Sequence, residues 1–311
     1  MSLGRSLGIT DTGRRRRRNE DAYVCRPPLF AIADGMGGAQ AGEVASRLAA
    51  AVLNESPHGA TGEERVVELV QEANRRVFER ANEDAATQGM GTTMTVALVD
   101  EAGGTVAIGH VGDSRAYRLR DGELQQLTRD HSLVQELVES GRLSPEEADN
   151  HPQRSVITRV LGTDPDVDVD TLTVETRPGD LFLLCSDGLT DMLGADEIES
   201  VIESRAGDPA AAADALVAAA NSRGGDDNIT VLLFEIVEGE PEPLEDEGGR
   251  DGAAAATDGV GTVAEPEPSP ADPSRSPRKH GAGPGGRLAA ILFILAVLVV
   301  AALVLYWGIT R

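Results

Sequence analysis

Short apolar runs recur between residues 1 and 237, and turns that contain Gly, Asp or Asn separate them. Runs of this length that are rich in Val, Ile, Leu and Thr predict β-strands. We predict ten strands, at residues 6–10, 22–25, 29–33, 92–99, 104–111, 114–120, 123–128, 170–176, 181–185 and 229–236.

Longer segments with apolar positions at helical spacing predict five α-helices. They cover residues 40–53, 62–84, 131–140, 195–204 and 208–222. Strands outnumber helices, several strands are adjacent in sequence, and residues 120–123 are typical of a hairpin turn. This pattern favours an α+β fold of antiparallel sheets with helices outside over a doubly wound parallel sheet.

The composition changes after residue 237, which divides the chain into regions. Residues 1–237 have the pattern of a folded domain, whereas residues 238–287 are rich in Pro, Gly, Glu and Ala and hold half of the 16 prolines. Such a segment buries too little apolar surface to offset the entropy lost on ordering, so we predict a disordered linker.

Residues 288–307 form an uncharged apolar run that ends in Tyr and Trp. About 20 such residues match the thickness of a bilayer, and interfacial aromatics are typical of its edge. A buried helix of a soluble domain is the alternative, but no folded partner surrounds the run. We therefore expect one C-terminal transmembrane helix.

Most of the basic residues that flank this predicted helix lie on its N-terminal side. Arg275, Arg278, Lys279 and Arg287 precede it, and only Arg311 follows it. The positive-inside rule then predicts a single-pass protein of the cell membrane. Residues 1–237 would be cytoplasmic, and residues 308–311 would form a short extracytoplasmic tail.

Charge and cysteine content exclude some classes of protein. The net charge of −24 argues against binding to nucleic acid, which requires a basic surface. It fits either a protein that concentrates divalent cations or one with an acidic tail. The two cysteines, Cys25 and Cys185, exclude a disulfide framework and indicate a reducing compartment.

Aspartates are placed at the ends of the apolar runs. One such aspartate is usually a turn former or a helix cap, but strand ends of one sheet converge, and carboxylates brought together repel one another unless a cation binds them. Hard oxygen ligands of this kind suit Mg²⁺ or Mn²⁺. The five candidate ligands are Asp21, Asp34, Asp113, Asp187 and Asp227.

These aspartates belong to six motifs along the chain. The motifs are Asp11-Thr12-Gly13 with Arg16 and Asn19-Glu20-Asp21; Asp34-Gly35-Met36-Gly37-Gly38; Gly91-Thr92-Thr93; Val111-Gly112-Asp113-Ser114-Arg115; Ser186-Asp187-Gly188-Leu189; and Asp227-Asn228-Ile229-Thr230. In this order they resemble the protein phosphatase 2C (PPM) family over about residues 6–237, in its bacterial membrane-anchored type. The resemblance implies a metal-dependent protein serine/threonine phosphatase with two packed antiparallel sheets flanked by helices, an α-β-β-α sandwich.

The resemblance also implies how the metals are held. Two core Mn²⁺ or Mg²⁺ ions would be bridged by Asp34, and a third, weaker ion would be held by Asp113. Asp226 would contribute only at the periphery or to the third ion. The remaining implied ligands are the carbonyl of Gly35, the carboxylates of Asp187 and Asp227, and Asp21 and Glu20 in or just outside the coordination shell.

The mechanism that the resemblance implies is attack by a water that bridges the two ions, with Arg16 binding the substrate phosphate. The other arginines of the run 14–18 are either a solvated feature or attract acidic or phosphorylated segments. Many relatives carry histidine where this chain has Met36, and a thioether cannot donate a proton. Metal-bound water or His131 could do so instead, although His131 and His110 are more often structural.

The expected partners are phosphorylated proteins, including serine/threonine kinases at the cytoplasmic face of the membrane. In this family, residues 136–160 correspond to a flap beside the active site, where loops commonly set substrate choice. Two other functions remain open: a catalytically silent binding module, and an enzyme that acts on small phosphorylated metabolites.

Overall fold

The computed structural model describes residues 1–37, 41–57, 59–149, 151–205 and 207–239. The predicted membrane helix, the tail and nearly all of the predicted linker lie outside these residues. Within the described ranges, no helix is both long enough and apolar enough to cross a bilayer.

Two antiparallel sheets form the centre of the fold. The strands are β1 (Ser2–Asp11), β2 (Asp21–Arg26), β3 (Leu29–Met36), β4 (Gly91–Thr92), β5 (Met94–Asp100), β6 (Thr105–Val111), β7 (Arg115–Arg120), β8 (Glu123–Gln126), β9 (Asp170–Glu175), β10 (Leu181–Cys185) and β11 (Ile229–Val237). In the first sheet the strand order is β1-β11-β10-β7-β8, and in the second it is β2-β3-β5-β6-β9, with the short β4 paired to β3.

Helices cover the outer face of each sheet. The helices in the described residues are α1 (Ala41–Glu55), α2 (Glu63–Glu83), α3 (Leu133–Glu139), α4 (Pro145–Asp149), α5 (Asp187–Thr190), α6 (Ala195–Glu203) and α7 (Pro209–Ser222). Apolar faces of α1 and α2 pack on the second sheet, and those of α6 and α7 pack on the first.

The layer between the sheets is a continuous apolar core. Phe234 of β11 stacks on Phe30 of β3 with ring centroids 4.3 Å apart, and on Phe182 of β10 at 4.9 Å. Alternate residues of the same strands face the helices, because side chains along a strand point to opposite faces. Both faces of these strands are therefore apolar, as the sequence runs indicated, and the predicted α-β-β-α sandwich is confirmed.

Some predicted elements differ in detail. The predicted strand 92–99 is wrong as one element, because Thr93 separates β4 from β5. The amide of Thr93 donates to the carbonyl of Asp34 at 2.9 Å, and its hydroxyl accepts from the amide of Asp34 at 3.0 Å. Two short helices, α4 and α5, were not predicted, and Asp187 is the first residue of α5 rather than part of a simple turn.

Candidate active site

The predicted aspartates lie at the ends of strands of both sheets. Asp21 and Asp34 are opposite each other at one end of the β2–β3 pair. Asp187 lies two residues after the end of β10, and Asp227 lies two residues before the start of the adjacent strand β11. Asp113 lies in the turn between β6 and β7. The fold thus places all five carboxylates at the rim of the layer between the sheets.

The carboxylates act on one another electrostatically. Burial, followed by the charges of Asp21, Asp187 and other members of the group, raises the pKa of Asp34 well above its ordinary value. Burial and the charges of Asp113 and Asp227 raise the pKa of Asp187 in the same way. A bound cation would relieve this repulsion between the carboxylates.

Two further carboxylates of the group are similarly perturbed. Burial raises the pKa of Asp21 to about 6, although hydrogen bonds to its carboxylate oppose the shift. Burial, together with the charge of Asp130, raises the pKa of Asp113 to about 7. Clustered acidic groups of this kind are typical of functional sites.

Some carboxylate oxygens of the five aspartates are free to bind a metal ion. One buried oxygen each of Asp21, Asp113 and Asp187 has no hydrogen-bond partner within the described residues. In the described ranges, no three His, Cys, Asp or Glu side chains lie close enough together to hold a metal ion as placed. The unpaired oxygens of these aspartates are nevertheless the hard donors that Mn²⁺ and Mg²⁺ prefer.

Two hydroxyl groups fix the orientation of Asp21. Its Oδ2 accepts from Thr230 Oγ1 at 2.5 Å and from Ser186 Oγ at 2.9 Å, while its Oδ1 stays unpaired. Both residues belong to motifs of the sequence, but no role for them is evident from the sequence alone. Their approach to Asp21 across 165 or more positions of sequence could not be predicted from local patterns.

Gly35 lies where no other residue fits. A Cβ at this position would be 2.1 Å from the carbonyl oxygen of Gly42 and 2.6 Å from that of Glu20. This packing brings the start of α1 and the β1–β2 loop against the backbone that follows Asp34. Gly35 can therefore contribute only backbone groups to the site, which is consistent with the predicted role of its carbonyl oxygen as a metal ligand.

Arg16 lies at the edge of the aspartate group. Its Nη2 donates to Asp227 Oδ2 at 2.5 Å, and about half of its side chain is exposed. Only one of its five N–H groups makes this bond, so the others are accessible to an anion. The pKa of Glu20 is raised by burial, while the charge of Arg16 opposes that shift.

His110 and His131 are buried, and their rings contact groups of the protein itself. His131 Nδ1 accepts from the amide of Gly112 at 3.0 Å, and its Nε2 lies 3.2 Å from Asp170 Oδ2. Since an amide can only donate, Nδ1 carries no proton and the neutral ring carries it on Nε2. Burial lowers the pKa of His131, and it lowers the pKa of His110, whose ring is tilted against that of His131, to about 3.

His131 also joins the predicted flap to the turn that carries Asp113. The amide of His131 donates to the carbonyl of Gly112 at 2.7 Å, and its carbonyl accepts from the amide of Thr158 at 2.8 Å. Arg159 donates to Asp170 at 2.6 Å beside the same imidazole. We call this arrangement of His131, Gly112, Arg159 and Asp170 the His131 clamp.

Comparison with known proteins places the chain in a family. A family model described as protein phosphatase 2C matches residues 14–220. The serine/threonine phosphatase stp of Listeria monocytogenes is 41% identical over 238 residues, which cover 73% of this chain and 93% of that protein.

Solved structures agree with this match. The crystal structure of the Mycobacterium tuberculosis serine/threonine phosphatase PstP/Ppp is 39% identical, with a TM-score of 0.71, and covers 76% of this chain and 100% of that one. A structure of the PstP catalytic domain in complex with two manganese ions is 38% identical, with a TM-score of 0.69 over 76% of this chain and 99% of that one. The chain therefore belongs to the protein phosphatase 2C family and is a serine/threonine protein phosphatase.

Proposed function

We propose that this phosphatase uses Mn²⁺ or Mg²⁺ to hydrolyse phosphoserine and phosphothreonine esters on proteins. The observation that carries the proposal is the placement of five aspartates at strand ends of the two sheets, where burial and neighbouring carboxylates raise the pKa values of Asp34 and Asp187. Buried like charges persist where a cation offsets them. The manganese complex of the related PstP catalytic domain supports the same choice of ion for this chain.

The proposal assigns roles to the residues at the rim. Asp34 would contact both core ions, and Asp113 would hold a third. When bound, the ions supply an activated water nucleophile and stabilise charge on the phosphoryl oxygens. The other metal ligands would be the Gly35 carbonyl, Asp21, Asp187 and Asp227.

Arg16 would bind the phosphate of the substrate. Its guanidinium is already held at the rim by Asp227, and its remaining donors can grip two phosphoryl oxygens at once. An arginine that is fixed in this way orients the phosphorus for in-line displacement and stabilises the developing negative charge.

Protonation of the leaving seryl or threonyl oxygen falls to solvent at the site. Met36, which is 42% exposed at the end of β3, has no transferable proton. His131 is buried, and both of its ring nitrogens face protein groups. Of the donors considered from the sequence, water is the one that remains.

We also propose that residues 288–307 cross the cell membrane with the phosphatase domain on the cytoplasmic side. The length of the apolar run and the four basic residues that precede it support this orientation. Such an enzyme would oppose serine/threonine kinases at the cytoplasmic face. An alkaline phosphatase fusion at residue 311 should be active outside the cytoplasm, and an inactive fusion would contradict the orientation.

The catalytic proposal is tested with a phosphothreonine peptide. Hydrolysis should require Mn²⁺ or Mg²⁺ and stop in EDTA, and Asp34→Asn and Asp187→Asn should each abolish turnover while circular dichroism stays unchanged. Full activity in EDTA would contradict a metal-dependent mechanism. Inactivity of the wild-type protein on phosphopeptides would favour a silent binding module, or a metabolite phosphatase if small phosphate esters were hydrolysed instead.

A further inference from the structure

Five consecutive arginines, residues 14–18, form the most basic segment of the chain. Residues 1–239 contain 22 arginines, no lysine and 42 acidic residues. All five side chains are exposed in the loop between β1 and β2. We call residues 14–18 the arginine strip. Phosphate binding by Arg16 accounts for one of its members and leaves four without a role.

The backbone at the start of the strip is fixed against the loop that carries Asp227. The amides of Arg14 and Arg15 both donate to the carbonyl of Gly225, at 2.7 and 3.3 Å. Gly13 has a φ of 76°, and a Cβ there would lie 2.1 Å from the carbonyl oxygen of Asp227. This contact needs glycine, because other residues rarely adopt that conformation and none has room for its side chain.

Asn228 fixes both ends of the strip. Its Nδ2 donates to the carbonyl of Thr12 at 3.0 Å and to that of Arg18 at 2.9 Å, while its Oδ1 accepts from the amide of Glu20 at 2.7 Å. The backbone of the strip is therefore preorganised, so that only its arginine side chains need to be ordered when a ligand binds.

Three of the arginines have carboxylate partners. These ion pairs offset part of the positive charge of the strip and hold it beside the rim of the site. The distances are 2.8 Å for Arg15–Asp226, 2.5 Å for Arg16–Asp227 and 3.9 Å for Arg18–Glu43.

Arg14 and Arg17 carry the remaining positive charge. Neither forms an ion pair with any residue in the described ranges, and both are exposed. The rest of the domain is strongly acidic, but charges farther away than about 10 Å are largely screened at 0.1 M salt. A bound anionic segment therefore responds mainly to these nearby guanidinium groups.

We propose that the arginine strip binds negatively charged residues on either side of the phosphorylated serine or threonine of a protein substrate. Neighbouring Cα atoms are about 3.8 Å apart, so Arg14 and Arg17 lie within a few residues of Arg16 along any extended substrate. Guanidinium groups grip carboxylates and phosphates in two-point contacts. The preferred substrate is thus an acidic or multiply phosphorylated segment. This inference rests on the proposed phosphate-binding role of Arg16.

The test uses the full-length protein with Mn²⁺ and three phosphothreonine peptides that differ only in their flanks, which are Glu, Ala or Lys. The double variant Arg14→Gln/Arg17→Gln removes the unpaired charges and leaves Arg16 intact. The matched control Arg75→Gln/Arg80→Gln makes the same charge change on α2. A further variant, Arg14→Lys/Arg17→Lys, keeps the charge without the two-point geometry.

The wild-type enzyme should prefer Glu over Ala over Lys flanks, with KM spread by about five- to tenfold and kcat little changed. The Gln double variant should lose this preference, the Lys variant should keep part of it, and the α2 control should keep all of it. Turnover of p-nitrophenyl phosphate should be the same in all variants. Equal KM values for the three peptides in wild type, or a preference that survives in the Gln variant, would overturn the proposal.

A binding measurement separates this inference from the proposed function. Fluorescence anisotropy of the same labelled peptides in EDTA reports contacts of the strip without turnover, and the Glu peptide should bind more tightly than the Lys peptide. If neither p-nitrophenyl phosphate nor any peptide is hydrolysed but the Glu peptide still binds more tightly than the Lys peptide, the catalytic proposal is wrong. The proposed role of the arginine strip is then still supported. If the Gln variant loses binding to phosphatidylglycerol vesicles and keeps the peptide order, the strip contacts lipid and the proposal is wrong.

Discussion

Two substitutions at His131 test separately the two contacts of its imidazole ring, with the Gly112 amide and with Asp170. Asparagine places its Oδ1 near the position of the imidazole Nδ1, so His131→Asn keeps an acceptor for the Gly112 amide and loses the contact with Asp170. His131→Gln reaches toward Asp170 with its longer side chain and leaves the Gly112 amide without an acceptor. The residue beside that amide is Asp113, the proposed ligand of a third ion.

The expected magnitudes differ because the two lost contacts differ in burial. Gly112 and the imidazole are buried, so an unpaired amide there should lower the free energy of unfolding by about 1–3 kcal/mol. The Asp170 side chain is 39% exposed, and solvent and Arg159 replace part of what it loses, so His131→Asn should cost under about 1 kcal/mol.

Urea unfolding in EDTA measures these differences, and hydrogen–deuterium exchange at Gly112 locates them. His131→Gln should be the less stable variant and should exchange faster at Gly112, while His131→Asn should resemble the wild type there. His151→Gln, the same change at a histidine outside the clamp, is the control and should shift stability by less than about 0.5 kcal/mol. If both His131 variants lose equal stability and protect Gly112 equally, the Nδ1 contact does not position the Asp113 turn.

Three further outcomes are expected. Mn²⁺ should raise the melting temperature more at pH 7.5 than at pH 5.5. The pKa values of Asp21 and Asp113 are about 6 and about 7, so at the lower pH both carboxylates hold protons that compete with the ion. Equal increases in melting temperature at the two pH values would contradict this. Asp180→Ala should lower the free energy of unfolding in urea by about 1–3 kcal/mol, because it leaves the partly exposed Arg120 and the Arg177 amide without the buried carboxylate that both contact. Phe234→Ala should cost about 3–5 kcal/mol and Phe234→Leu distinctly less, and similar losses would mean that the inter-sheet ring stack is unimportant.

The sequence predicted the central strands well because their apolar pattern is local. The predicted strand 181–185 has the bounds of β10, since the run Leu181–Cys185 is apolar on both faces. β1 begins at Ser2, whereas the prediction began at residue 6. Its first residues alternate poorly and are held by pairing with β11, including Ser2 opposite Val237, which no local pattern contains.

The carboxylates of the site could be predicted from the sequence, but the residues that orient them could not. An aspartate at the end of an apolar run is visible in sequence, and five of them indicated a metal centre. The residues that orient or connect these groups, such as Thr230 for Asp21 and Asn228 for the arginine strip, approach from more than 200 positions away. Their roles arise from pairing between strands, so only the folded chain reveals them.

The same carboxylates that fit the metals oppose folding without them, and this conflict can be measured. Burial raises the pKa of Asp34 well above that of an unfolded aspartate, so the folded state binds the proton more tightly and loses stability as pH rises above about 4. Asp34→Asn removes the charge. In EDTA at pH 7.5 this variant should therefore melt at a higher temperature than the wild type, while it loses activity and most of the stabilisation by Mn²⁺. A lower melting temperature in EDTA would mean that charge repulsion at Asp34 is not what the metals relieve.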